Sequence, residues 1–277
     1  MKTVTFPGLG LTLHLNPVAF SIGSFSIYWY GIIIAVGFIL AVGFCLSQAK
    51  RFGVKKDDFL DVLLLAAPGG IIGARLYYII FYSELYRTAD GSWDLMACLN
   101  VHNGGLAIYG GIIAGTLIAY LVARHKKIPF SALADLCAFG LLIGQIAGRW
   151  GNFVNVEAYG GVTALPWRMG IGAGTEVHPT FLYESLWNLI GFLLLVWVLR
   201  KGLCMFDGMI FLLYVAWYGF GRGCIEGLRT DSLYFFSTGI RISQMVGFLS
   251  CAVAVGLLLW KLHTHPKQEE RYVNKQN

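Results

Sequence analysis

Seven stretches of this chain are apolar enough, for long enough, to cross a lipid bilayer, and a soluble globule has no use for seven in succession. The candidates are Tyr28–Gln48, Phe59–Phe81, Leu106–Ala123, Ala132–Arg149, Pro179–Leu199, Phe206–Gly221 and Ile240–Leu262. About 20 apolar residues in a helix span the hydrocarbon. The sixth stretch reaches that length only if it continues to Glu226. Only 13% of residues are charged, against roughly 25% in soluble domains, so water cannot be the main solvent of these helices. The expected fold class is therefore all-α: a polytopic membrane protein of about seven transmembrane helices in one packed bundle, with no linker dividing it.

Basic residues set the orientation. Lys50, Arg51, Lys55 and Lys56 lie between the first two spans, Arg124, Lys126 and Lys127 follow the third, and Arg200 and Lys201 follow the fifth. Lys261, Lys267, Arg271 and Lys275 close the chain on the same side. That side is read as the cytoplasm, with the N-terminus outside and the C-terminus inside. Residues 1–27 lack the apolar core and cleavage site of a signal peptide. They are expected to form an interfacial arm, 28–262 the seven-helix membrane domain, and 263–277 a cytoplasmic tail. The net charge of +6 then reports topology, and no nucleic-acid partner is implied.

On the outer side the cations are Lys2, Arg75, Arg87, Arg149, Arg168, Arg222, Arg229 and Arg241. All but Lys2 are arginine, whereas every other lysine lies inside. Topology needs only positive charge, so it does not explain that split. A planar guanidinium suits bidentate contact with phosphate or carboxylate. Two readings follow: a site for an anionic group, or ion pairs with nearby Glu and Asp.

Ionisable residues at membrane depth are costly, which makes them functional suspects. Arg149 closes the fourth span, and Asn152 and Asn155 follow at intervals of three in Gly148-Arg149-Trp150-Gly151-Asn152-Phe153-Val154-Asn155-Val156-Glu157-Ala158-Tyr159-Gly160. Arg222, Glu226 and Arg229 share a stripe at the end of the sixth. Arg75 lies deeper, in the second, with no acidic residue within a helical turn. Glycines at spacings of three and four (Gly69, Gly70 and Gly73; Gly110, Gly111 and Gly115; Gly140, Gly144, Gly148 and Gly151) read as close helix packing. No HExxH, no Cys/His ligand set and no serine elbow is present, and Asp57, Asp58 and Asp61 lack the partners of a metal phosphotransferase. No metal and no cofactor are expected, and the six cysteines read as inert.

The thirteen residues 148–160 resemble the signature of the prolipoprotein diacylglyceryl transferase family. The likeness extends through Asn16–Phe20, Tyr28–Gly31, Gly69–Arg75, Asn103–Gly111, His178–Glu184, Tyr218–Arg229 and Ser243-Gln244. It implies a multi-pass enzyme of the bacterial cytoplasmic membrane, with 28–262 as its catalytic domain. Such an enzyme moves the diacylglyceryl group of phosphatidylglycerol onto the lipobox cysteine of a prolipoprotein and releases glycerol phosphate. Its partners would be phosphatidylglycerol, the precursor's signal peptide and lipobox, and membrane lipids. On that basis Arg149 and Asn152 would hold the lipid phosphate, and Arg222 the charge that develops on the leaving group. Glu226 and Glu157 would orient the arginines, and Tyr30 and Asn155 would hold headgroup hydroxyls. Gly160 and Arg229 complete the substrate-binding set. Many relatives place a histidine base in the H-G-G that opens the third span, where this chain has Tyr109. Tyr109 either acts beside a cation or only positions substrate, with His178, another group or water taking the proton. An anion transporter and a non-catalytic lipid-binding protein are the alternatives. The first would show related halves, which the sequence lacks, and the second would show no turnover.

Overall fold

The computed structural model describes residues 1–23, 25–88, 90–100, 104–172, 174–235 and 238–264. Asn103 of the expected third-span motif and His265, Lys267, Arg271 and Lys275 of the tail lie outside them. Among the described residues, seven helices have 18 residues or more: α1 (Trp29–Gln48), α2 (Lys56–Phe81), α4 (Ile108–His125), α5 (Phe130–Asn155), α6 (Thr180–Arg200), α7 (Met209–Glu226) and α8 (Ile242–Thr264). A short α3 (Leu95–Leu99) lies between α2 and α4. Six of the seven are long and apolar enough to cross a membrane. The exception is α7, which carries Arg222 and Glu226 in its last turns. It does run on to Glu226, but it starts at Met209 and so has 18 residues, short of the full span expected from Phe206. Between 11% and 39% of each apolar window is buried inside the protein, so most of these side chains need an apolar solvent.

Beside the helices stand six strands that the all-α expectation did not include. Strands β1 (Lys2–Phe6), β2 (Leu11–Leu15), β5 (Met169–Ile171) and β6 (Thr175–Val177) form one antiparallel sheet in the order β2-β1-β5-β6, and β3 (Val18–Ile22) pairs with β4 (Phe25–Tyr28). The N-terminal arm is thus tied to the segment between α5 and α6, with Val4 opposite Ile171.

The chain divides into two compact units, one of Met1–Arg51 with Ala134–Asn277 and the other of Phe52–Leu133. In the first, Val4, Phe6, Phe153, Met169, Val177 and Phe181 form a buried cluster that fixes the sheet against the end of α5 and the start of α6. The Phe153 and Phe181 rings stack at 4.4 Å. Trp187 of α6 and Trp217 of α7 stack at 4.2 Å, and each indole N–H donates to the other residue's carbonyl. Asp135 of α5 accepts from the backbone N–H groups of Gly208 and Phe211, and so caps the start of α7. A Cβ on Gly219 would stand 2.6 Å from the Gly247 carbonyl, which shows how closely α7 and α8 approach.

In the second unit α2 packs on α4 through the expected small residues. A Cβ on either Gly70 or Gly111 would stand 3.4 Å from the other's carbonyl oxygen. Arg75 does not face an anion. Its five N–H donors, the full complement of a guanidinium, go to the carbonyls of Ala97, Cys98, Asn100, Gly104 and Gly105 at 2.7–2.9 Å. Gly104 and Gly105 have φ of 85° and 79°, a conformation open to glycine that turns both carbonyls onto the arginine. Arg75 therefore organises the connection from α3 to α4. Asp58 and Asp61 pair with Lys126 at 2.9 and 2.5 Å.

Candidate functional site

The signature loop is held in place from both sides. Gly160 donates its N–H to the His178 carbonyl, and Gly161 bonds both His178 and Leu228. A Cβ on Gly160 would fall 2.7 Å from the His178 Cβ and 2.9 Å from the Leu228 oxygen, so this position admits only glycine. The Thr180 hydroxyl donates to the Ala158 carbonyl at 2.6 Å. Between these anchors Val156 and Ala158 are left-handed, at φ of 50° and 56°. For a β-branched valine that conformation costs about 1–3 kcal/mol. The strain flanks Glu157 and fixes its direction.

Sequence placed Arg149 at the end of the fourth span and Arg222 and Arg229 at the end of the sixth, and the structure gathers all three on one carboxylate. Glu184 of α6 contacts Arg149 Nη2 at 2.6 Å, Arg222 Nη1 at 3.0 Å and Arg229 Nη1 at 3.2 Å. It is 3% exposed. Arg222 Nη2 also lies 2.5 Å from Glu226 Oε2, a close ion contact that is not aligned as a hydrogen bond. Arg241 donates to the Glu226 carbonyl. Asp231 grips the far side of Arg229 with both oxygens, at 2.9 and 2.7 Å. The Arg229 guanidinium holds the Asp231 carboxyl below its ordinary range.

Arg149 Nη1 donates to Asn152 Oδ1 at 3.3 Å. The next links depart from the sequence reading. Glu157, expected to orient an arginine, accepts instead from Asn152 Nδ2 at 2.8 Å and Asn155 Nδ2 at 3.4 Å. It contacts the two amides, and the carboxylate in contact with all three arginines is Glu184. Glu226 does pair with Arg222, as expected. Tyr30, in the first turn of α1, packs its ring against Gly151, where a Cβ would stand 2.8 Å from Cδ2. His178 caps nothing with its side chain. Its Nδ1 lies 3.3 Å from Tyr183 Oη, which accepts from Trp167 Nε1 at 2.7 Å. Tyr109 belongs to the other compact unit, at the second position of α4 and 37% exposed.

Glu184 was visible within the sequence His178–Glu184 but received no role. The missed signal is periodic. Thr180, Glu184, Ser185 and Asn188 make the first turns of the buried face of α6 polar, and Gly191, Leu195 and Leu199 continue that face as small and apolar. A polar stripe that is buried at membrane depth must meet polar partners.

Chemically, three guanidiniums face two buried carboxylates, Glu184 and Glu226, with Asp231 half-exposed at the edge. Counted with Asp231 the cluster holds three guanidiniums and three carboxylates, but among the described residues Arg149 has no acid of its own and only a share of Glu184, so its N–H donors are the ones open to an added anion.

Comparison with known proteins gives the same direction. The family model for prolipoprotein diacylglyceryl transferase matches residues 17–260. A phosphatidylglycerol–prolipoprotein diacylglyceryl transferase of Lactiplantibacillus plantarum is 40% identical over 263 residues, covering 91% of each chain. One of Clostridium botulinum is 40% identical over 267 residues, 93% of this chain and 100% of its own. One of Listeria welshimeri is 41% identical over 258 residues, 89% of this chain and 90% of its own. With the signature loop, the buried arginine array and the match over most of the sequence all in agreement, the chain belongs to the prolipoprotein diacylglyceryl transferase family.

Proposed function

We propose that this protein transfers the diacylglyceryl group of phosphatidylglycerol to the lipobox cysteine thiol of prolipoproteins, as the first step of their maturation. The observation that carries the reading is the Glu184-centred array of Arg149, Arg222 and Arg229. In the reaction the cysteine sulfur attacks the glycerol carbon that bears the phosphate. A C–S bond forms and the C–O bond breaks. The electron pair stays on the phosphate oxygen and leaves with glycerol phosphate, while the thiol proton passes to a base. The phosphate goes from one negative charge in the lipid toward two in the product. Guanidiniums that only share Glu184 can turn N–H donors to the lipid phosphate, and they bind the charge-enriched transition state more strongly than the lipid, which is the condition for catalysis.

Arg149 and Asn152 hold the phosphate in this reading, and Arg222 meets the developing charge. Glu184 and Glu226 position the arginines, with Arg229 locked behind them by Asp231. Glu157 holds the Asn152 and Asn155 amides toward the headgroup, and Tyr30 lines the same end of α5. Gly160 lets the loop close against α6 and α7. Tyr109 is proposed to assist removal of the thiol proton. The protein resides in the bacterial cytoplasmic membrane with seven spans, N-terminus outside and C-terminus inside. An export-dependent reporter should be active when inserted at Gly91 and silent after Asn277; activity after Asn277 would refute the orientation.

The test of function is reconstitution of the full chain with headgroup- and acyl-labelled phosphatidylglycerol and a lipobox peptide. Acyl label should move to the peptide in a thioether, with glycerol phosphate released in equal amount. Lipid binding without either product would reduce the protein to a lipid-binding role.

A further inference from the structure

Below the arginine array a second, uncharged polar pair reaches into the membrane. Gln145 stands one turn before Arg149 on α5, and on α7 Tyr214, Tyr218, Arg222 and Glu226 follow one another at intervals of four. Gln145 Nε2 donates to Tyr214 Oη at 2.8 Å. Gln145 Oε1 is buried and has no hydrogen-bond partner among the described residues, and a polar atom in that state is costly. Rotating the amide by 180° exchanges its ends. The Tyr214 hydroxyl then donates to Oε1, and the amide N–H groups take the unpaired position. A Cβ on the neighbouring Gly144 would meet no other part of the protein within 4 Å, so that flank of α5 beside the pair is open.

We propose that Gln145 and Tyr214 form a subsite for the ester carbonyls of the diacylglyceryl group. The inference rests on the proposed function, because it takes the lipid phosphate to sit at the arginines. One helical turn deeper, about 6 Å along α5, is where the esters of such a lipid lie, a few bonds from phosphorus. Ester carbonyls only accept hydrogen bonds, and they carry no charge. With the phenol O–H holding Oε1, the amide N–H groups are neutral donors that match those acceptors without the cost of an ion at membrane depth. A lipid with acceptors at this level selects the rotated amide and removes the unpaired atom. An ether-linked chain lacks the carbonyl oxygen that reaches out to the amide and keeps only the crowded oxygen of the linkage itself, so the pair would distinguish acyl from alkyl glycerophospholipids.

The experiment is a binding competition between diacyl and dialkyl phosphatidylglycerol of equal chain length, read as bound lipid on the full-length protein in nanodiscs. It needs no transfer, so a failed reconstitution would sink the proposed function while this ratio still judges the subsite. Wild type should favour the diacyl lipid by about tenfold, the worth of one or two hydrogen bonds. Gln145→Leu and Tyr214→Phe should each bring the ratio to within about twofold of unity, while phosphatidylglycerol is still preferred over phosphatidylcholine. Equal binding of both lipids by wild type would overturn the assignment. So would variants that lose both lipids in proportion, since packing or a structural water would then account for the pair. Tyr214→Phe keeps the ring that stacks on Tyr218, so a folding failure of the glutamine variant leaves the test intact.

Discussion

Replacing Glu184 by glutamine should separate binding from turnover. The substitution keeps the shape and one acceptor oxygen but deletes the charge that Arg149, Arg222 and Arg229 share at 2.6, 3.0 and 3.2 Å. Removing one partner from a buried ion pair costs roughly 3–5 kcal/mol, because the other charge is left uncompensated. Here the retained oxygen of glutamine and the nearby Glu226 and Asp231 keep the loss toward the lower figure. In lipid-free detergent the variant should therefore unfold at a lower temperature. Phosphatidylglycerol should restore more stability to it than to wild type, since the phosphate now supplies the missing negative charge. Turnover should move the other way. With the central carboxylate gone the guanidiniums repel one another, and a misplacement of about 1 Å in a catalytic group can cost about 10²-fold in rate. The expected pattern in nanodiscs is kcat lower by about 10²-fold with KM for phosphatidylglycerol unchanged or reduced. Glu184→Asp, which keeps the charge, should recover part of kcat. A Glu184→Gln enzyme with wild-type kcat would refute the idea that this carboxylate positions the arginines. A rise in KM alone would refute it equally, because that pattern belongs to a group that binds ground and transition states alike.

Arg149→Lys should lose nearly as much activity as Arg149→Ala, because a point charge does not reproduce a fork that contacts both Glu184 and Asn152; most of the turnover surviving in the lysine variant would make Arg149 a simple counter-charge. Arg75→Lys offers three donors where five carbonyls wait, so limited proteolysis between α3 and α4 should accelerate at least tenfold, and an unchanged cleavage rate would count against it. Asp231 is held below its ordinary value of 3.8 by the hydrogen bonds from Arg229, so its stabilising effect is complete above that value and is lost as pH falls through the lowered one. Asp231→Asn should flatten that acid limb of the stability curve, and an identical limb in the variant would show that other carboxylates set it. Tyr109→Phe should lower kcat by about 10²-fold or more, the usual worth of general-base help, and Tyr109→His should recover much of it; turnover within about threefold, with an unshifted pH–rate profile, would leave proton removal to water or another group.

What could be read in advance divides by range. Helices α1 through α8, the five-residue α3 apart, were legible because an apolar run is a local property, and their observed ends differ from the apolar runs by a few residues. The one large extension is α5, which continues past Arg149 to Asn155 and so carries Asn152 and Asn155 on a rigid helix. The strands carry a local signal too, the alternation in Thr3-Val4-Thr5-Phe6 and Leu11-Thr12-Leu13. Their partner Ile171 is remote in sequence, however, and no local pattern names it. The site follows the same rule. Arg149, Arg222 and Glu226 stood out because an ion at membrane depth demands a reason. Which carboxylate meets which arginine depends on three helices meeting, and so the contact expected of Glu157 is made by Glu184.

The arginine-for-lysine split on one side of the chain has more than one cause, and the single-site reading of it was too narrow. Arg75 uses its five donors on backbone carbonyls and lies over the Tyr86 ring at 4.9 Å. Arg87 lies over Trp93 at 5.0 Å, and Arg168 binds Glu176 across the β5–β6 hairpin at 2.5 Å. Arg241 packs on Tyr234 while donating to the Glu226 carbonyl. A flat, weakly hydrated cation with directed donors suits these uses, above all those that combine a ring face with carbonyl acceptors. Arg149, Arg222 and Arg229 differ from them in one respect. They share Glu184, and Arg222 and Arg229 each have a second acid, Glu226 and Asp231, whereas among the described residues Arg149 has only its share of Glu184 and the Asn152 amide. A cation saturated by carbonyls or matched one-to-one by an acid has nothing left for a substrate. Arg149, with no carboxylate of its own, has donors left, and that shortfall, rather than the number of arginines, marks it as the candidate for the phosphate.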